Sequence, residues 1–166
     1  MKKLFLLAFL MFGLISVKSY AQEEAEEVTE EEMMKFAVME DNVAAFVAEK
    51  QATMEDMIKK NETLGGGGRY NEIKKAWGDD AKLTELEVSE EEKEAYEEIQ
   101  EYIDGIGKEV VKYKTELIMD AEVLGAATYN KVKKAMDSDP TVKAEVDAMI
   151  AQLKEQRANA DGEVTQ

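Results

Sequence analysis

The chain has 166 residues and a formal net charge of −16 at pH 7, with no cysteine, no histidine and one proline. These absences exclude disulfides, thiolate or imidazole metal ligands, cysteine nucleophiles and Ser-His-Asp triads. The 37 acidic side chains against 21 basic ones also argue against nucleic-acid binding, which requires clustered Lys and Arg. What remains is a soluble helical domain for which no cofactor is expected.

The first 21 residues have the three parts of a secretory signal peptide. Residues 1–3 are positively charged, residues 4–17 (LFLLAFLMFGLISV) are apolar, and small residues precede a cleavage site between Ala21 and Gln22. A membrane-spanning anchor is the alternative, but this apolar stretch is shorter than the about 20 residues that a span needs. We therefore expect export to the periplasm, or to the outside of a one-membrane cell, with no stable membrane insertion after signal removal. Cleavage leaves 145 residues with a net charge of −19.

The first half of the exported chain reads as a long helix followed by a shorter one. Residues 22–29 are predicted to be an acidic flexible segment, after which Thr29 and Glu32 form a capping-box pattern. Apolar residues then recur at helical spacing at Phe36, Met39, Val43, Phe46, Val47, Met54, Met57 and Ile58. The four glycines 65–68 are predicted to end this helix as a flexible turn. A short helix follows and is broken near Gly78; its apolar face consists of Tyr70, Ile73, Ala76 and Trp77.

The second half repeats this order. Ser89 and Glu92 form another capping-box pattern, which begins a second long helix. Its apolar seam alternates by three and four through Tyr96, Ile99, Ile103, Ile106, Val110, Tyr113 and Leu117. A short helix follows and is broken near Asp139, which is placed to cap a helix that has Pro140 at its first position. Residues 158–166 are predicted to be a flexible tail.

A comparison of the two halves indicates an internal repeat with a period near 60 residues. Residues 70–77 (YNEIKKAW) match residues 129–136 (YNKVKKAM), and Asp80 then falls on Asp139. Chance similarity between two Lys-rich helices is the alternative.

The predicted fold is therefore an all-α four-helix bundle over residues 30–157. It consists of two similar antiparallel helical hairpins, repeat one at about 30–87 and repeat two at about 90–157. The second and fourth helices of this bundle are broken near Gly78 and Asp139.

The end of the second repeat also resembles a known family. The pattern of Gly125, Tyr129-Asn130 and Asp139-Pro140, followed by a charged amphipathic helix, resembles exported bacterial all-helical domains of unknown function. Residues 34–37 (MKFA) resemble the Phe-Ala opening of that family. This chain departs from the family pattern because the hairpin is present twice, and because Ala81 stands where the second copy has a proline. The resemblance implies export and a helical fold, but no activity.

Two polar–aromatic pairs, Tyr70-Asn71 and Tyr129-Asn130, are the only such constellation that is repeated, and they are candidates for an interaction role. The alternative is structural. Each tyrosine then packs in the core while each asparagine bonds locally near a helix start.

The sequence assigns no catalytic, cofactor-binding or metal-binding residue. Residues 137–140 do not fit a calcium loop, because Val142 falls where the central glycine is required. Methionine thioethers can bind Cu(I), although methionine at helical spacing usually fills a core. The residues in question are Met33, Met34, Met39, Met54 and Met57.

The predicted function is that of an exported, non-enzymatic helical protein with a structural or partner-binding role in the bacterial envelope, such as a holdase. Its partner would be another envelope protein, and its oligomeric state is left open. A divalent-cation or copper-binding envelope protein is the alternative. A glycan-cleaving enzyme that uses two carboxylates is a third hypothesis.

Overall fold

The computed structural model describes residues 27–163 and contains six α-helices in this range. They are α1 (Glu30–Lys59), α2 (Gly67–Ala76), α3 (Asp80–Glu85), α4 (Glu90–Met119), α5 (Ala126–Ser138) and α6 (Pro140–Glu163). Residues 27–163 contain no strand, so the predicted all-α class is confirmed. Among these six helices, none combines the length and apolarity needed to cross a bilayer. The predicted signal peptide and its cleavage site at Ala21 and Gln22 lie outside the described residues.

Both long helices begin at the predicted capping boxes. In α1, the Thr29 hydroxyl accepts a hydrogen bond from the Glu32 N–H at 3.2 Å, and the Glu32 carboxylate accepts one from the Thr29 N–H at 2.8 Å. In α4, Ser89 and Glu92 make the same two bonds at 3.1 and 2.9 Å. Each box satisfies backbone amides that have no partner within the helix. Three glutamates in each first turn also lie favourably at the positive end of the helix dipole.

The two long helices form an antiparallel pair. The Lys114 ammonium lies 2.6 Å from the Glu40 carboxylate, and the rings of Phe46 and Tyr113 stack at 4.5 Å. Further along α1, the backbone carbonyl of Lys50 accepts a hydrogen bond from the hydroxyl of Tyr102. Residue numbers thus rise along α1 while they fall along α4, which places the start of each helix beside the end of the other.

Two separate hydrophobic cores lie at the two ends of this pair. The buried residues of the first core are Met33, Phe36, Met39, Val43, Leu124, Val132 and Val146. Those of the second core are Leu64, Tyr70, Ile73, Ala76, Leu83, Tyr96 and Ile99. The first core therefore joins the start of α1 to α5 and α6, and the second joins the start of α4 to α2 and α3. The α5 and α6 helices of the second half thus cover the start of α1, and the α2 and α3 helices of the first half cover the start of α4.

The apolar seam of α4 contributes to both cores. On α4, the residues that face the second core (Tyr96, Ile99, Ile103) and those that face the first (Val110, Tyr113, Leu117) continue one helical stripe. The predicted seam of α4 is therefore shared between two cores, each formed with a different pair of short helices.

The number and size of the helices differ from the predicted four-helix bundle. Residues 77–79 separate α2 from α3, and Asp139 separates α5 from α6, so each predicted broken helix is two helices. The α3 helix has six residues whereas α6 has 24, which makes the two halves unequal. An arrangement of two equivalent hairpins is therefore not confirmed. The α6 helix also continues through 158–163, where the sequence predicts a flexible tail.

The glycine run is only partly a turn. Gly65 and Gly66 have φ values of 61° and 98°, which L residues with a side chain rarely adopt. Gly67 and Gly68, in contrast, are the first residues of α2. The prediction that all four glycines stand outside a helix was therefore wrong for the last two.

Candidate functional site

The two Tyr-Asn pairs lie in different cores and do not form one site. Tyr70 is buried in the second core, where its hydroxyl accepts a hydrogen bond from the Gln100 side-chain amide at 3.0 Å. Tyr129 packs against the first core and stacks on Phe36 with the ring centroids 5.5 Å apart. The side chains of both asparagines, residues 71 and 130, are exposed. The contacts of the two tyrosines agree with the structural alternative, whereas neither asparagine side chain forms the local hydrogen bond of that alternative within residues 27–163.

The methionines of the copper hypothesis are also dispersed. Met33 and Met39 are buried in the first core, and Met57 packs against the second core at the other end of α1. Met34 is exposed. Within residues 27–163, no group of three or more Asp or Glu side chains is arranged to hold a metal ion. The contacts of Met33, Met39 and Met57 are those of core residues that fill space.

The capping glutamate of α4 also forms an ion pair with α2. The Arg69 guanidinium donates two hydrogen bonds to the Glu92 carboxylate, from Nε at 2.6 Å and from Nη2 at 2.9 Å. Nη2 also bonds the backbone carbonyl of Leu86 at 3.0 Å, just before α4 begins. This pairing lowers the pKa of the Glu92 carboxyl and raises the pKa of Arg69. A bidentate pair of this kind fixes geometry as well as charge, so it locks α2 onto the start of α4.

The capping glutamate of α1 is paired in a similar way. The Lys131 ammonium of α5 lies 2.9 Å from both oxygens of the Glu32 carboxylate. The bond from Lys131, followed by the one from the Thr29 N–H, lowers the pKa of Glu32. Both capping glutamates therefore connect the start of a long helix to a short helix of the other half. The sequence showed the capping role of each but not the cation that it binds.

The α6 helix lies along α1 and leaves two open grooves beside it. The smaller groove, of about 300 Å³, is lined by Ala44, Lys154, Arg157 and Ala158. The larger, of about 440 Å³, is lined by Glu30, Met33, Glu145, Ala148, Met149 and Gln152. The two carboxylates in the larger groove are exposed to solvent. Acid–base catalysis by two carboxyl groups needs a cleft that separates their pKa values, and these open grooves do not supply one.

One long face of α4 is covered by no helix within residues 27–163. We call it the outer stripe of α4, and it consists of Glu97, Glu101, Asp104, Lys108, Val111, Thr115 and Met119. All seven side chains are exposed, and their spacing of three and four residues places them on one side of the helix. Val111 and Met119 are 66% and 68% exposed, more than the other exposed large apolar side chains of the described residues.

No protein-family model, curated protein or solved structure matches this chain. The resemblance to exported helical domains therefore stays a prediction.

Proposed function

We propose that this chain is an exported, non-catalytic helical protein of the bacterial envelope that binds a partner protein. The observation that carries the proposal is the outer stripe of α4, an exposed face that extends over most of a 30-residue helix. Charged residues make up 35% of the chain, yet this stripe presents two large apolar side chains, Val111 and Met119, on one side of the helix. Methionine and other apolar side chains are enriched at the centre of protein interfaces, while charged residues form the rim.

We also propose that residues 30–87 and 90–157 are two copies of one helical hairpin. In support, α1 and α4 both have 30 residues and begin 60 positions apart, each at a capping box. The N-caps of α2 and α5, Gly66 and Gly125, are 59 positions apart and both have positive φ. Several core residues recur at the same offsets, namely Leu64 with Leu124, Tyr70 with Tyr129 and Ile73 with Val132.

The partner-binding function is tested by photo-crosslinking in intact cells that export the chain. A photoreactive amino acid at Thr115, in the middle of the apolar part of the outer stripe, is expected to give one crosslinked product of defined mass. The same amino acid at Glu155, an exposed position on α6, serves as the control and is expected to give none. The recovered chain is expected to begin at Gln22. Absence of a product at Thr115, or equal products at both positions, would overturn the proposal.

A further inference from the structure

We propose that the outer stripe of α4 binds a cationic amphipathic helix of its partner, laid along α4 much as α6 is laid along α1. This inference rests on the proposed partner-binding function and specifies the chemistry of the partner. Three observations carry it: the way α6 covers the equivalent face of α1, the three neighbouring carboxylates at one end of the stripe, and the exposed apolar side chains at the other.

The face of α1 that corresponds to this stripe already receives a helix. Ala37, Asp41 and Ala44 stand 60 positions before Glu97, Glu101 and Asp104. Ala37 is fully buried, and Asp41 forms an ion pair with Arg157 of α6. On this face of α1, small side chains allow a second helix to approach, and a carboxylate binds a cation from it.

The described part of the first half contains no helix that covers α4 as α6 covers α1. The α3 helix ends at Glu85 after six residues, and residues 86–89 lead directly into α4. Most of the 24-residue α6 therefore has no counterpart in the first half. The equivalent face of α4 consequently remains open, with charged side chains where α1 has alanines.

The carboxylate end of the stripe indicates a cationic partner. Glu97, Glu101 and Asp104 are exposed, and none of them forms an ion pair within residues 27–163, although Lys93, which pairs with Glu90, also attracts Glu97 electrostatically. Like charges three and four positions apart on a helix repel each other and destabilise it. Lys or Arg side chains on a bound helix would remove this repulsion, as Arg157 binds Asp41 on α1. Complementary charge also accelerates association and selects the partner.

The other end of the stripe indicates that the partner helix is amphipathic. Val111 and Met119 lie two helical turns apart, with Thr115 between them. Apolar side chains on the partner would bury both residues. From Glu97 to Met119 the stripe is about 33 Å long at ~1.5 Å per residue, so it fits a partner helix of about six turns.

The test uses a synthetic peptide and titration by fluorescence anisotropy. The peptide is a helix former of about 24 residues, which matches the length of the stripe. On one face of this helix, lysines occupy one half of its length and leucines occupy the other half. An analogue with glutamates in place of the lysines is the control peptide. We expect the lysine peptide to bind and the glutamate peptide not to bind, with the affinity falling as salt is raised.

Two variants of the chain test the contributions of the carboxylates and of the apolar side chains separately. The triple change Glu97→Gln, Glu101→Gln and Asp104→Asn is expected to weaken binding at least about tenfold, because it removes the charge that attracts the peptide. The double change Val111→Thr and Met119→Gln is expected to weaken it about fivefold or more, because it removes the apolar contact. The matched control, which makes the same charge change at exposed positions elsewhere, is Glu62→Gln, Glu85→Gln and Glu155→Gln. It is expected to change the affinity less than about twofold.

Equal weakening by the stripe triple and by the control triple would overturn the inference, because the peptide would then bind the acidic surface as a whole. Unchanged affinity of the Val111/Met119 variant for the lysine peptide would also overturn the inference. A crosslink from Thr115 to a second copy of the chain would overturn the inference too, because the stripe would then bind another copy of this chain. If the Thr115 crosslink to a different protein persists while the peptide shows no stripe-dependent binding, only this inference fails. If that crosslink is absent, the partner-binding function fails.

Discussion

Replacing Ile73 with alanine is expected to lower the free energy of unfolding by about 3 kcal/mol. The Ile73 side chain has no exposed surface and lies in the second core among residues of α2, α3 and α4. Its truncation removes buried apolar surface and leaves a cavity that the surrounding helices can only partly fill. Met39→Ala, at a fully buried position of the first core, is expected to cost a similar amount. Val111→Ala, at an exposed position, is expected to stay within about 0.5 kcal/mol of the parent.

Urea unfolding followed by two probes measures these effects and tests whether the two cores are coupled. The first probe is the fluorescence of Trp77, the single tryptophan, whose ring centroid lies 4.3 Å from that of Tyr96 of the second core. The second probe is far-ultraviolet circular dichroism, which reports on all the helices. Because α1 and α4 extend through both cores, the two probes are expected to follow one transition in the parent and in the Ile73→Ala variant. A fluorescence transition that precedes the loss of helix would contradict this coupling.

Replacing Arg69 with methionine is expected to destabilise the chain at neutral pH by about 2 kcal/mol. The change removes two charge-assisted hydrogen bonds to Glu92 and one to the Leu86 carbonyl. It also leaves the Glu92 carboxylate without its cation at a position where its side chain is only 15% exposed. The matched control is Lys59→Met, which removes an exposed ion pair with Glu55 and is expected to cost a few tenths of a kcal/mol.

The effect of Arg69→Met is expected to depend on pH in a definite direction. Because Arg69 lowers the pKa of Glu92 below its ordinary value of 4.5, the ionised carboxylate stabilises the folded parent above that pH. This contribution is lost as the pH falls through the lowered pKa of the folded state. The stability difference between parent and variant should therefore be largest at neutral pH and shrink below about pH 4.5. A difference that stays constant down to pH 3 would show that Arg69 acts only by packing.

The sequence predicted the helix starts well because their causes are local. A Ser or Thr three residues before a glutamate is a local signal for a capping box, because both partners lie within one helical turn. Both long helices begin where these patterns lie. The break at Asp139-Pro140 was predictable for the same reason, and the Asp139 carboxylate accepts a hydrogen bond from the Thr141 N–H at 2.8 Å. Apolar periodicity likewise identified most of the buried positions.

The pairing between elements could not be read from local patterns. Glu92 and Arg69 are 23 positions apart and Glu32 and Lys131 are 99 positions apart, and nothing in their spacing indicates that they meet. Trp77 follows the last residue of α2, so its side chain is 36% exposed although the periodicity placed it on the buried face.

The outer stripe of α4 was also missed. The apolar seam on the other side of the helix dominates the pattern, and an exposed stripe is visible only once the covering helices are known. The signal that could have found it is the offset of 60 residues, because that offset aligns the alanines of α1 with the carboxylates of α4.

The pairing of each long helix with the short helices of the other half is tested most directly by nuclear Overhauser contacts between aromatic rings. Selective labelling of Phe and Tyr is expected to show contacts between Phe36 and Tyr129, whose ring centroids are 5.5 Å apart, and between Tyr70 and Tyr96, at 5.4 Å. Contacts of Phe36 with Tyr70, or of Tyr96 with Tyr129, would instead place each long helix on the short helices of its own half. That result would contradict both the fold and the open stripe on α4.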